Sequence, residues 1–157
     1  MGVGGAFDLT SIDEVDRKIL EKLLVNSRES YRKIAEEIGV SEATVFFRVK
    51  KLVERGVIKG FTVELSPEHV GKGLTAFILI KAEPQKYIQA LETVKGIEDI
   101  YEVFDVTGNY YAIAKVRTSD REKLAEIIDQ VSMVDGISST ETLIVLRKIK
   151  EEFRVKF

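Results

Sequence analysis

The first third of the chain carries three short runs of apolar residues at helical spacing, separated by polar or glycine-containing breaks. In the first, Ile12, Val15, Ile19, Leu20 and Leu23 form one stripe. Ser11, with Glu14 three residues later, makes a capping-box pattern and predicts a helix from about 12 to 25. Asn26, Ser27 and Arg28 interrupt it. Ser30 can then cap a two-turn helix with Tyr31, Ile34, Ala35 and Ile38 inward, ended by Gly39. Ser41 can cap a third helix that turns Val45, Val49, Leu52 and Val53 inward, with Gly56 at its C′ position. A short helix, a tight turn and a longer helix stand in helix-turn-helix order. Residues 57 to 65 alternate and are rich in β-branched side chains, which predicts a strand serving as a wing or a linker. Ser66-Pro67-Glu68, Gly71 and Gly73 form the clearest breaker cluster and mark a domain boundary.

The remainder reads as an internal repeat. A strand is predicted over 74 to 83, a helix begun by Pro84 to about 95, and a strand to 106. A second set follows, with a strand over 110 to 117, a helix begun by Ser119 to 134, and a strand to 146. The joint Val94-Lys95-Gly96-Ile97 recurs as Val134-Asp135-Gly136-Ile137, and a tight Thr107-Gly108-Asn109 turn joins the halves. This is the β-α-β-β-α-β order of a ferredoxin-like domain. The fold class expected is therefore α+β. Its parts are an extension over 1–11, a winged helix-turn-helix over 12–64, a linker over 65–73, a ferredoxin-like domain over 74–150 and a tail over 151–157. Two helices cover only one face of a four-stranded sheet, yet Ala76 to Ile80 and Thr142 to Leu146 are apolar at both parities. The second face is expected to bury against a second copy of the chain or, as the alternative, under the wing or tail.

Composition narrows the function. Of 157 residues, 45% are hydrophobic and 32% charged, and no stretch approaches the roughly 18 apolar residues that a bilayer span needs. No membrane partner is expected. The absence of cysteine and the single His69 exclude thiolate zinc sites, cysteine nucleophiles and histidine relays, and no metal or cofactor is expected. Carboxylates are plentiful but unaccompanied by a catalytic constellation, so an enzyme is not expected. Residues 1 to 7 lack the basic and apolar regions of a secretory signal, and a cytoplasmic location follows as the expectation. The net charge of -2 counts against nucleic acid as a partner. Locally the sign reverses: between 41 and 60, Arg48, Lys50, Lys51, Arg55 and Lys59 face only Glu42 and Glu54.

On a helical wheel, the side of the third helix opposite Val45 and Val49 holds Ala43, Phe47, Lys50, Lys51 and Glu54. A phenylalanine at the centre of a solvated face is unusual, whereas in a major groove its ring can meet thymine methyl groups. Phe46 borders the core and is read as packing. Thr44, Arg48 and Arg55, with Lys51 shared, lie along a flank suited to phosphate contacts, and Lys59 extends the basic run into the following strand. Ser30 and Ser41 can meet phosphates or simply cap their helices.

Ile12-Asp13-Glu14-Val15-Asp16-Arg17-Lys18-Ile19-Leu20 opens the helical region, and Ile34-Ala35-Glu36-Glu37-Ile38-Gly39-Val40-Ser41 crosses its turn. Arg48-Val49-Lys50-Lys51-Leu52-Val53-Glu54-Arg55-Gly56-Val57-Ile58-Lys59-Gly60 closes it. With the split βαβ domain downstream, these segments resemble the Lrp/AsnC, or feast/famine, family of transcription regulators from about 12 to 150. Few Asn and Gln residues, no Cys and abundant Glu, Lys and Arg point to a thermophilic source. The resemblance implies a sequence-specific regulator of double-stranded DNA acting at pseudo-palindromic sites. It also implies a second domain, of the RAM/AsnC ligand-binding type, that takes an amino-acid effector and forms a homodimer through its sheet, assembling further to tetramers or octamers. The effector region it implies falls on Val106, Thr107, Gly108, Asn109 and Tyr110, and on Ile137 with the run Thr140-Glu141-Thr142, where the Thr140 and Thr142 hydroxyls could donate. Gly108 and Asn109 also satisfy the needs of a tight turn alone. The chain departs from the family pattern at Tyr111, where members often carry Asp. Glu98, Asp99 and Glu102 are expected on the preceding strand, facing solvent or, as the alternative, selecting an amino group. A different class of function, a metabolite-sensing or protein-interaction module without specific DNA binding, would favour a continuous aliphatic stripe over the Phe47-Lys50-Lys51 face.

Overall fold

The computed structural model describes residues 12–152, 155 and 157. The chain divides after Val63 into two compact units, the second running from Glu64 to Glu152.

In the first unit, helix α1 (Glu14–Val25) begins at Asp13 rather than at Ser11, which lies outside the described residues. Asp13 and Asp16 cap each other's backbone reciprocally. The Asp16 N–H donates to Asp13 at 2.9 Å and the Asp13 N–H donates to Asp16 at 3.4 Å. Helix α2 (Tyr31–Ile38) is capped by Ser30 and ended by the left-handed Gly39, and α3 (Glu42–Glu54) is capped by Ser41, as expected. The end of α3 is a complete Schellman motif. Gly56 at φ 71° donates to the Val53 carbonyl, and Val57 donates to that of Leu52. Ile19, Leu23, Ile34, Ala35, Val45 and Val49 form the core of this unit. Val53 corrects the sequence reading, being 44% exposed, because the Val45–Val49–Leu52 stripe already covers what α1 and α2 can reach. Residues 57–65 are a second correction, since they form no strand. A strand exists only through a ladder, and the sequence supplies this run with no second run to pair with before the Pro67 breakers. Val57 and Ile58 instead finish the helix cap, and Phe61, Val63 and Leu65 stay exposed.

The second unit opens with a 3-10 turn (Glu68–Val70) and contains β1 (Leu74–Ala82), α4 (Tyr87–Val94), β2 (Ile100–Asp105), β3 (Ala112–Thr118), α5 (Arg121–Ser132) and β4 (Ile137–Ile144). The four strands lie in the order β2-β3-β1-β4, every neighbouring pair antiparallel. Ala76, Ile78 and Ile80 of β1 and Ala112, Ala114 and Val116 of β3 are fully buried, packing with Val94, Leu124, Ile127 and Val131 of the two helices. The small alanines let the helices sit close to the sheet. Two predicted helix starts are corrected. α4 begins after Lys86, three residues beyond Pro84, and α5 is capped by Asp120, whose carboxylate accepts the Lys123 N–H at 2.8 Å.

The repeat is real, but its structural register is offset from the one the letters suggest. Ile97 and Ile100 donate to Val94 and Ile97, just as Val134 and Ile137 donate to Val131 and Val134. The joint thus pairs Val94, Ile97 and Ile100 with Val131, Val134 and Ile137. Asp99, at φ 70°, occupies the slot that Gly136 fills at φ 91°. Asp99 is also not solvent-facing or on β2, contrary to expectation. It is buried and its carboxylate takes the Lys72 ammonium.

Candidate nucleic-acid interface and effector region

Packing α3 through Val45, Val49 and Leu52 leaves its opposite side in solvent. Ala43, Phe47, Lys50 and Lys51 are exposed there, with Phe47 at 63%. Lys50 lies 3.9 Å from Glu54 one turn on, a loose surface pair that leaves its ammonium accessible. Phe46 is half exposed rather than packed in the core. Its ring meets Tyr31 and Phe47 edge-on at centroid distances of 6.4 and 5.5 Å. Phe46, Tyr31, Val49, Lys50, Val53, Glu54 and Phe61 line a groove of about 240 Å³ beside the helix.

The flank residues divide. Ser30 and Ser41 both cap, their hydroxyls accepting the Lys33 and Thr44 N–H groups at 3.3 and 3.1 Å, and the Ser41 and Thr44 hydroxyls lie 2.8 Å apart. Arg55 and Lys59 are exposed at and beyond the helix end. Arg48, read from the sequence as a phosphate contact, is instead turned onto α1, where Nη1 meets the carboxylates of Asp13 and, at 3.4 Å, Asp16. The Asp13 carboxyl is held below its ordinary range, first by the Asp16 backbone N–H and then by the Arg48 guanidinium. Sequence reasoning had both the D-x-x-D spacing and the arginine, but no signal that they would meet.

In the second unit, the turn between β2 and β3 closes through Val106 donating to the Tyr111 carbonyl at 3.0 Å, with Gly108 at φ 118°. Thr107, Gly108 and Asn109 are exposed. The Tyr110 hydroxyl donates to the Glu141 carboxylate, which raises the Tyr110 pKa, and Lys81 stands 5.3 Å over the Tyr110 ring. The Tyr111 ring meets that of Tyr87 at a tilt of 36°, with centroids 4.9 Å apart. Lys81 was not foreseen, and Glu141 lay inside the implied region without a role of its own. They come together because β1 and β4 pair, with Leu79 opposite Glu141 and Lys81 opposite Ser139. Thr140 and Thr142 are opposite Ile80 and Ile78, so they face the helix layer, and the Thr140 hydroxyl lies 3.4 Å from that of Ser132. Ile137 packs on the same core. The region implied by resemblance therefore splits, with the turn and Tyr110 at the open face and Ile137, Thr140 and Thr142 at the covered one. Glu102, also expected at solvent or at an amino group, takes the Lys115 ammonium at 3.1 Å. His69 is exposed on the 3-10 turn, 2.8 Å from the Ser66 hydroxyl.

Among the described residues there is no cluster of metal-ligating side chains, and no helix is long and apolar enough to cross a membrane. A three-helix unit with an exposed aromatic and basic helix face, followed by a β-α-β-β-α-β sheet domain, defines a helix-turn-helix regulator with a ligand-binding module. Residues 12–59 match the winged helix-turn-helix DNA-binding family and residues 75–155 the Lrp/AsnC ligand binding domain. The chain belongs to the Lrp/AsnC family of transcriptional regulators. It is 38% identical over 141 residues to the HTH-type transcriptional regulator FL11 of Pyrococcus abyssi, covering 90% of this chain and 93% of that one. It is 41% identical over 145 residues to an uncharacterized HTH-type transcriptional regulator of Pyrococcus horikoshii, covering 92% and 98%. Among solved structures, E. coli AsnC superimposes with a TM-score of 0.86 at 34% identity, covering 91% of this chain and 97% of that one. A feast or famine regulatory protein from M. tuberculosis complexed with L-methionine gives 0.84 at 25%, covering 92% and 98%.

Proposed function

We propose that this chain binds specific, pseudo-palindromic sites in double-stranded DNA as a dimer or higher oligomer, with α3 in the major groove and an amino acid as effector. The observation that carries the DNA reading is the outward face of α3, where Phe47 is 63% exposed between Ala43, Lys50 and Lys51. An apolar ring among cations suits a groove that offers thymine methyls between two rows of phosphates. Thr44, Arg55 and Lys59, with the N-termini of α2 and α3 at Ser30 and Ser41, then supply phosphate contacts along the flank. In mobility shifts on a duplex selected from a random library by the full chain, Phe47→Ala should weaken binding by about 1–3 kcal/mol and relax the sequence preference. Unchanged affinity and preference would remove α3 from the interface.

For the effector, the exposed turn at 107–109 runs into Tyr110, which carries the Lys81 ammonium over its ring and the Glu141 carboxylate at its hydroxyl. That charge arrangement complements a zwitterion, the amino acid's carboxylate toward Lys81 and its ammonium toward Glu141. The structural relative complexed with L-methionine supports this class of ligand. A thermal-shift screen of amino acids should raise the melting temperature with at least one of them, and Glu141→Gln should abolish that rise. A rise that survives the substitution would move the site elsewhere.

A further inference from the structure

We infer that Arg48 serves DNA binding as a positioning residue, clamping α3 to the N-terminus of α1 through Asp13 and Asp16 rather than touching phosphate. This rests on the reading of α3 as the recognition helix.

The two carboxylates are fully committed. One Asp13 oxygen accepts the Asp16 N–H at 2.9 Å and the other takes the guanidinium. One Asp16 oxygen accepts the Asp13 N–H at 3.4 Å and the other lies 3.4 Å from the same Nη1. All four oxygens therefore have partners, and the arginine closes a capping box that would otherwise present two anionic oxygens outward. Asp16 is buried, its side chain 5% exposed, so its charge is compensated mainly inside the protein. Asp13 and Asp16 lie 35 and 32 residues before Arg48, so the contact joins two elements that no local hydrogen bond links. Val45, Val49 and Leu52 fix which side of α3 faces inward, but apolar packing tolerates sliding and tilt. A guanidinium held by two carboxylates adds a directional restraint next to Phe47 and one turn before Lys51, the residues that must meet the groove in register.

A phosphate contact and a clamp differ in their salt dependence. Each neutralised phosphate contributes about 0.9 to the slope of log affinity against log salt. The test uses the full chain and the duplex that it selects, with affinities measured well below melting. Arg48→Ala should weaken binding about tenfold at every salt concentration with the slope unchanged. The double variant Asp13→Asn, Asp16→Asn keeps good capping residues while removing both charges, and it should weaken binding as much. Combining all three changes should add nothing further, because they break one unit.

The inference is overturned if Arg48→Ala makes the slope shallower by about 0.9 while the asparagine variant binds as tightly as the wild type or tighter. A contribution to folding alone would lower the melting temperature and leave the affinity of the folded protein unchanged, which overturns it equally. Should the alanine variant not fold, Arg48→Lys keeps a cation able to meet phosphate, but on a shorter side chain whose ammonium does not reach the place of Nη1 between the two carboxylates. The clamp then predicts weaker binding at full slope, and wild-type binding refutes it. Failure of the wild-type chain to select any duplex refutes instead the assignment of α3 to DNA.

Discussion

Glu151 shows how far a single residue's setting departs from its place in the sequence. It lies in the segment read as a tail, yet its carboxylate is shared by Lys148, by Lys115 at 3.1 Å and by Arg117 at 2.8 Å. Lys148, then Lys115, hold its pKa down to about 2 against partial burial, which pushes the other way. Because the folded value lies below the ordinary 4.5, the stabilisation is fully present above pH 4.5 and is lost as pH falls toward 2. Glu151→Gln should therefore cost about 2 kcal/mol at pH 7, read as a lowered thermal midpoint, and the gap from wild type should close across that acid window. A gap that stays constant with pH would mean that the charge contributes nothing. Asp99 teaches the same lesson. Its pattern suggested a solvated strand residue, whereas its partner Lys72 lies 27 positions away and no local signal announces the pair.

At the scale of elements, the caps of α2 and α3 were legible because they are made by neighbours, whereas α4 and α5 begin elsewhere than at Pro84 and Ser119. Ser30, Ser41, Gly39 and Gly56 stand where the serine and glycine signals put them. The joints between helix and strand were less legible. The repeated Val-x-Gly-Ile letters align Gly96 with Gly136, but the backbone aligns Asp99 with Gly136, since what recurs is the hydrogen-bonded turn and its left-handed residue. Gly136 is constrained twice. Its φ is 91°, and a Cβ there would stand 2.6 Å from the Cβ of Lys86. Gly136→Ala should destabilise the chain by about 2 kcal/mol or more, measured by denaturant unfolding. A loss under about 0.5 kcal/mol would show that α4 can shift at no cost. Gly96, with an ordinary φ and only the Thr93 carbonyl at 3.4 Å, should accept alanine far more readily.

For the whole molecule, the question is what lies against the open side of the sheet. Phe77, Leu79 and Ile113 are only partly buried on that side, and Tyr101, Phe104 and Leu143 are about half exposed. Of the stretch after β4, Glu151 reaches Lys115 and Arg117, but Leu146 and Ile149 remain almost fully exposed. An apolar face of this kind favours self-association. In analytical ultracentrifugation the wild-type chain should sediment at a multiple of its 17.7 kDa mass, and Leu79→Lys should shift it to smaller species. A wild-type chain sedimenting at its own mass would refute the dimer.

What the sequence determined by itself rests on short-range periodicity: three helices in helix-turn-helix order, the β-α-β-β-α-β order and the outward face of α3. Stripes, caps and turn residues act within a few positions, so the letters carry most of them. Tertiary structure alone decided the partners that meet across long separations, namely Arg48 with Asp13 and Asp16, Lys72 with Asp99, and Lys81 and Glu141 about Tyr110. It also left residues 57–65 without a ladder and turned Thr140 and Thr142 toward the helices. A charged side chain can reach many partners, and a strand exists only beside another. Both outcomes are set by how finished elements pack, which no local pattern encodes.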